Sequence, residues 1–289
     1  DLEDALSNQK EYMCSADLKE FVEKYHLNLS QDGTFNPRDI FGSHDDSDHV
    51  YNTPRAWYMA RCLNPSTMNW DGPDADFTPL SDDIPWCMVP EKKVTIEDVK
   101  YVLSSHFQGT PYDPYASYGD KSMKGAYRAI GVNRTDFLGI IQMRPDAGED
   151  SRAIEWVAFA SNVFNTAAPF YIDVEKVPEY FSNTTGDAST DNFYWASRMI
   201  AAMADASYSK SIFHIERYQE RVMSKGHEYI NQYDELLSKE SDAEKRMQLR
   251  QEANQKIADM VKKETQDTLN KVLYELSNQM KNAYSRSDA

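Results

Sequence analysis

The sequence predicts an α+β chain, and three observations carry that prediction. One pair of β-prone runs, 136–144 and 153–161, is joined by the turn-rich stretch Pro145-Asp-Ala-Gly-Glu-Asp150, which is hairpin length and gives two antiparallel strands. Before them, short helical patterns alternate with loops rich in aspartate and proline. After Pro178 there is no further proline, and beyond Asp191 apolar residues recur at helical spacing for about ninety residues.

In chain order, Ser15 caps a short amphipathic helix whose apolar positions are Leu18, Phe21 and Val22 and which ends near Tyr25. Residues 28–47 read mostly as loop. Thr53-Pro54 supplies a cap and a proline in the first turn for the helix Arg55-Ala-Trp-Tyr-Met, and Asn64-Pro65 stops it. Residues 64–93 read as a long surface loop. Thr95, followed three residues later by Asp98, caps a helix through Val99, Val102 and Leu103 that ends near His106. Past the two strands, Phe193, Trp195, Ala196, Met199, Ile200 and Met203 form one apolar stripe. Ser241-Asp-Ala-Glu244 reads as a capping box, so a break at 238–241 divides the remainder into two helices, the second carrying Ile257, Val261, Leu269 and Val272. The pair is expected to form an αα-hairpin over 209–289, set apart from residues 1–208, and its apolar stripe points to a homo-oligomer.

Charge and composition narrow the function classes. A net charge of −16 repels a phosphate backbone, so nucleic acid is not an expected partner. The acid excess lies in the first hundred residues, whereas 209–289 is balanced. No run approaches the ~18 apolar residues of a membrane helix. Cys14, Cys62 and Cys87 lack the spacing of a disulfide framework or zinc motif. With no targeting segment at Asp1-Leu-Glu-Asp, a cytoplasmic setting is expected.

Local chemistry motifs are mostly absent. There is no Gly-x-Ser-x-Gly elbow, glycine-rich phosphate loop or dinucleotide fingerprint. His44-Asp-Asp-Ser-Asp-His49 gathers metal-type side chains, but it lacks the glycine and glutamate of a calcium loop and the spacing of a zinc helix. A structural or substrate-contact role is favoured there, and neither metal nor cofactor is expected. Cys14, before a helix cap, and Cys62, beside Arg61, read as small half-buried residues rather than nucleophiles. Two loops stand out. His106-Phe-Gln-Gly-Thr-Pro-Tyr-Asp-Pro-Tyr115 is stiffened by two prolines while presenting polar and aromatic side chains, as binding loops do, and Ser161-Asn-Val-Phe-Asn165-Thr-Ala-Ala-Pro169-Phe-Tyr171 has the same character after the second strand. Arg144, at the end of the first strand, offers a planar fork for a carboxylate, and Asn162 or Asn165 an amide donor for an oxyanion. A surface ion pair or a turn asparagine remains the alternative for each.

Four segments together resemble a known family: Tyr51-Asn-Thr-Pro-Arg-Ala-Trp-Tyr-Met, Ser104-Ser-His-Phe-Gln-Gly-Thr-Pro-Tyr-Asp-Pro-Tyr, Ile130-Gly-Val-Asn-Arg-Thr and Ser189-Thr-Asp-Asn-Phe-Tyr-Trp-Ala. Their order and content are similar to the bacterial dipeptidase A family, the PepD-type cysteine dipeptidases related to secernins. That resemblance implies an αββα N-terminal-nucleophile hydrolase sandwich, of which this chain resembles the C-terminal part. It implies a cysteine nucleophile at the first residue of the mature enzyme, using its own α-amino group as base. No cysteine here matches that position, so the nucleophile is expected on an N-terminal portion outside this chain, which alone would be inactive. The implied substrate is a dipeptide. The pocket contacts expected from motif and chemistry are Arg144, Asn162, His106 and Gln108, with Arg55 and Tyr58 beside them. The alternative is a non-catalytic, secernin-like interaction protein.

Overall fold

The computed structural model describes residues 8, 10–28, 35–43, 45–85 and 87–281. Helices α1 (Leu18–Lys24), α2 (Pro37–Phe41), α3 (Asp48–Tyr51), α4 (Thr53–Leu63) and α5 (Ile96–Leu103) precede the strands β1 (Phe137–Met143), β2 (Ala153–Phe159) and β3 (Ala168–Tyr171). Then follow α6 (Glu179–Ser182), α7 (Phe193–Ala206), α8 (Tyr208–Lys239) and α9 (Ala243–Ser277). The mixed α+β class and the helical C-terminal region are as the sequence predicts. No helix among the described residues is long and apolar enough to cross a membrane.

The caps show local sequence at work. Thr95 accepts the Asp98 N–H and Asp98 accepts the Thr95 N–H, a complete capping box for α5. At α9 the cap is Asp242, one residue beyond the predicted serine: its carboxylate accepts the Lys245 N–H at 2.9 Å. Ser241 and Asp242 instead give their own N–H groups to Glu240 Oε1, which seals the preceding turn. At the first helix Asp17, not Ser15, is the cap residue.

The sheet among the described residues is antiparallel, in the order β1-β2-β3. Pairing of Gly139 with Val157 and Trp156 with Pro169 fixes which side chains share a face. Leu138, Ile154, Trp156, Ala158 and Tyr171 turn toward the long helices, where Tyr218, Val222, Ile230, Leu237, Ile257 and Val261 complete the main core. The core is therefore shared between the strands and the α8–α9 hairpin. The turn after β1 is fastened to α9 as well, through Asp150, which pairs with Arg246 and Arg250 at 2.5 Å each.

The third strand is absent from the sequence reading, which treats 161–171 as a binding loop. It is four residues long and contains Pro169, which donates no ladder hydrogen bond and suits an edge. It is held on both sides: β2 pairs with one edge, and on the other the Asn254 side chain from α9 donates to Tyr171 O and accepts from Tyr171 N, both at 2.9 Å.

Pro169 also presses on α8. A Cβ placed on Gly226 would lie 2.6 Å from Pro169 Cδ. Gly226→Ala gains about 1 kcal/mol of helix propensity, but it drives a methyl into a rigid ring at an overpacking cost of about 1–3 kcal/mol. The expected net result is a lower urea midpoint, with Gly226→Val lower still; a raised midpoint for the alanine variant would mean that Pro169 can move aside.

Candidate active site

At the end of β2 the chain reverses sharply. Ala160 takes a left-handed conformation, φ 65°, which costs a non-glycine residue and persists only when its surroundings hold it. Asn165 does so by donating through Nδ2 to the carbonyls of Phe159 (2.7 Å) and Ala160 (3.0 Å). Gln219 of α8 braces the same loop through the carbonyls of Val163 and Asn165. From the other side α5 grips Asn162 twice: Asn162 Nδ2 donates to Leu103 O at 3.2 Å, and Lys100 Nζ donates to Asn162 O at 2.7 Å and Ser104 Oγ at 2.6 Å. Lys100 is 4% exposed, and burial pushes its ammonium down to about 7.

The facing wall is built by residues 104–131. Gly131 donates to Ser105 O at 2.8 Å, and a Cβ there would lie 2.5 Å from Ser104 O, an approach only glycine permits. Phe107 and Gly109 both have positive φ, so the loop after α5 turns in a strained path with Phe107 buried at its centre. His106 is buried too. Its Nδ1 lies 2.9 Å from Asp113 Oδ1 and its Nε2 3.3 Å from the Tyr208 hydroxyl. Tyr208 stacks on Tyr115 at 3.9 Å between centroids, and Tyr115 donates to Asp205 Oδ1 at 2.5 Å. Burial, first of all, raises the pKa of Tyr58, Tyr115 and Tyr208, so these phenols act as neutral donors.

Where these walls meet, a cleft of about 320 Å³ opens between Tyr115, Asn133, Ser161, Phe164, Arg198 and Asp205. That volume falls at the lower end of the range for small-molecule sites.

None of the six side chains predicted for the pocket is among the residues that line this cleft; His106, which meets the ring of Tyr115 edge-on, is joined to Gln108 and through it to Tyr58 behind that wall. Gln108 Oε1 accepts the His106 N–H at 3.0 Å, and Gln108 O accepts the Tyr58 hydroxyl at 2.9 Å, while Asn162 stands one residue from Ser161 in the cleft wall. Arg55 lies on α4 and donates to Tyr51 O and Asn52 Oδ1. Arg144 is not brought to the others. Because β1 and β2 are antiparallel, the end of β1 sits beside the start of β2, roughly 20 Å from Asn162 at about 3.3 Å per strand residue. There its guanidinium pairs with Asp234 and donates to Ser151 O, over the ring of Tyr171.

A broader cleft of about 790 Å³ runs beside Ser43, Asp45, Asp48, His49 and Asp82. Its polar groups bind one another: Ser47 N–H donates to Asp45 Oδ1, and His49 Nε2 lies 2.9 Å from Asp82 Oδ1. Among the described residues no group of three or more His, Cys, Asp and Glu could hold a metal ion, and His44 lies outside them. Burial pushes the Cys62 thiol up, away from thiolate chemistry, against smaller opposing effects of Tyr58 and Arg61.

Residues 1–221 match the description of peptidase family C69. The chain belongs to that family. A dipeptidase of Bifidobacterium longum is 46% identical over 327 aligned positions, covering 100% of this C69 chain and 61% of the relative. A probable dipeptidase A of Streptococcus pyogenes is 45% identical over 98% of the chain and 57% of its own length, and a probable dipeptidase B of Lactococcus lactis 33% over 96% and 57%. The C69 chain thus spans about 60% of the length of these relatives.

Sequence reasoning missed Lys100, Arg198 and Asp205. For Lys100 a signal existed: it lies four residues after Ile96 and three before Leu103, on the apolar side of α5. Arg198, Ala201, Ala202 and Asp205 likewise share one face of α7, at spacings of three, four and seven.

Proposed function

We propose that this chain builds the substrate pocket of a cysteine dipeptidase whose nucleophile, an N-terminal cysteine, lies in a portion of the protein outside these 289 residues. The observation that carries the reading is membership of peptidase family C69 at 46% identity to a dipeptidase, together with a dipeptide-sized cleft at the end of β2.

The chemistry follows from covalent catalysis. The cysteine thiol gives its proton to its own α-amino group, and the thiolate attacks the peptide carbonyl. The tetrahedral oxyanion needs preorganised donors. Asn165 has spent both amide protons on backbone carbonyls, whereas Asn162 has spent one on Leu103 O and keeps one for the oxyanion. Collapse returns the proton to the leaving amine and leaves a thioester, which water hydrolyses to restore the thiol.

Two further features support an N-terminal portion that completes an αββα sandwich. On the sheet face turned away from the hairpin the β1 side chains are apolar and open: Phe137 is 54% exposed and Ile141 and Met143 are each 61% exposed. Beside the cleft, Asn165 Oδ1 and Thr166 Oγ1 are buried without a hydrogen-bond partner, as polar atoms awaiting a donor are. Self-association through the hairpin and a cytoplasmic setting belong to the same reading.

Intact-mass analysis of the native protein, paired with a dipeptide assay, tests it. The expected result is cysteine at the mature N-terminus of the whole enzyme, dipeptide hydrolysis abolished by thiol alkylation, and no hydrolysis by the 289-residue chain alone. Hydrolysis by this chain that survives alkylation would overturn the mechanism, and a whole protein without peptidase activity would favour the non-catalytic secernin-like alternative.

A further inference from the structure

We propose that the cleft measures its substrate by both ends: Arg198 binds the free α-carboxylate of a dipeptide and Asp205 its free α-ammonium. This rests on the dipeptidase reading above and adds to it the reason for selecting dipeptides. The two residues lie seven apart on α7, about two turns and about 10.5 Å along the axis. Both line the cleft, one charge of each sign at either end. Between them on the same face stand only Ala201 and Ala202, so no side chain rises beyond Cβ to block a ligand laid along the helix.

The dimensions match. An extended dipeptide spans about 7 Å, and a hydrogen bond of about 2.8 Å at each end gives a reach of about 12–13 Å, within what two flexible side chains on that spacing cover. A third residue adds about 3.5 Å and places one terminus beyond its partner. Val163 and Phe164 form an apolar wall for a substrate side chain, and Ser161 lines the same cleft.

The charged groups are suitably engaged. Arg198 is 38% exposed at its side chain; Nη1 donates to Asn133 O at 3.1 Å and stands 3.5 Å from Asp136 Oδ1, a long pair that a bidentate carboxylate outcompetes. Asp205 is exposed and anchored by one hydrogen bond from Tyr115 to Oδ1, which leaves Oδ2 for an ammonium.

Variants matched to blocked substrates test this in the whole enzyme. Arg198→Met should raise KM for a free dipeptide at least tenfold yet leave KM for the corresponding dipeptide amide unchanged. Asp205→Asn retains the acceptor for Tyr115; it should raise KM for the free dipeptide similarly and leave the N-acetyl dipeptide unaffected. Equal losses on free and blocked substrates, or no loss on either, would overturn the assignment while the dipeptidase reading stands. Should the enzyme hydrolyse no dipeptide, calorimetric titration with a dipeptide isostere bearing an alkene in place of the amide decides the cleft separately: tenfold weaker binding to each variant supports it, and equal or absent binding rejects it.

Discussion

Asn254→Leu is expected to lower the stability of the folded chain by about 2–5 kcal/mol, although leucine matches asparagine in size and α9 tolerates it. The reason is backbone satisfaction. Asn254 is 2% exposed, and its amide supplies both hydrogen bonds of Tyr171 on the edge of β3 that faces away from β2. Leucine leaves a buried N–H and a buried carbonyl unpaired, at about 1–3 kcal/mol each. Urea denaturation gives the magnitude, and hydrogen exchange at the Tyr171 amide gives the location: exchange there should quicken before the rest of the sheet responds. A loss below about 1 kcal/mol with unchanged exchange would mean that water or a shifted β3 satisfies the two groups.

That bond also explains what could and could not be read beforehand. The hairpin helices and the capping box at Thr95 are local facts, written within a few residues, and the two main strands announce themselves by β-prone runs about one turn apart. Strand β3 is not local. Its four residues include a proline, and they become a strand because β2 and an asparagine 83 positions along the chain hold its two edges. Helices α2 and α3 are likewise too short to leave a periodic trace.

The site divides in the same way. The sequence points to His106 and Gln108 because a stiff polar loop after a capped helix is a recognisable object, to Tyr58 through its motif on α4, and to Asn162 because it follows a strand, yet none of the four lines the cleft. Arg144 and Asn162 each follow a strand, but the antiparallel pairing that the sequence predicts and the structure has puts the end of β1 and the end of β2 at opposite ends of the sheet. Arg198 and Asp205 lie within a segment whose Met199, Ile200 and Met203 advertise packing, and that signal hides the polar face two alanines wide.

Between pH 7 and 10, Lys100 carries the largest pH effect expected of the molecule. An ammonium whose pKa falls from its ordinary value near 10.5 to about 7 on folding is one the folded state binds less readily than the unfolded chain. Between pH 7 and 10.5 the unfolded chain holds a proton there that the folded chain has released, so the stability of the wild type should rise with pH relative to Lys100→Met by about 1.4 kcal/mol per pH unit, and about 4 kcal/mol over three units. Below pH 7 both states are protonated, and the difference should be flat. The substitution also removes the donor to Asn162 O and Ser104 Oγ, a cost of about 1–3 kcal/mol that does not vary with pH and so does not disturb the slope. A neutral amine still has two protons, enough for both bonds, so the grip on Asn162 survives deprotonation and the pocket keeps its shape through neutral pH. Paired urea titrations at pH 7, 8, 9 and 10 measure the slope; parallel lines would show that Lys100 stays charged in the fold and that water or an anion reaches it.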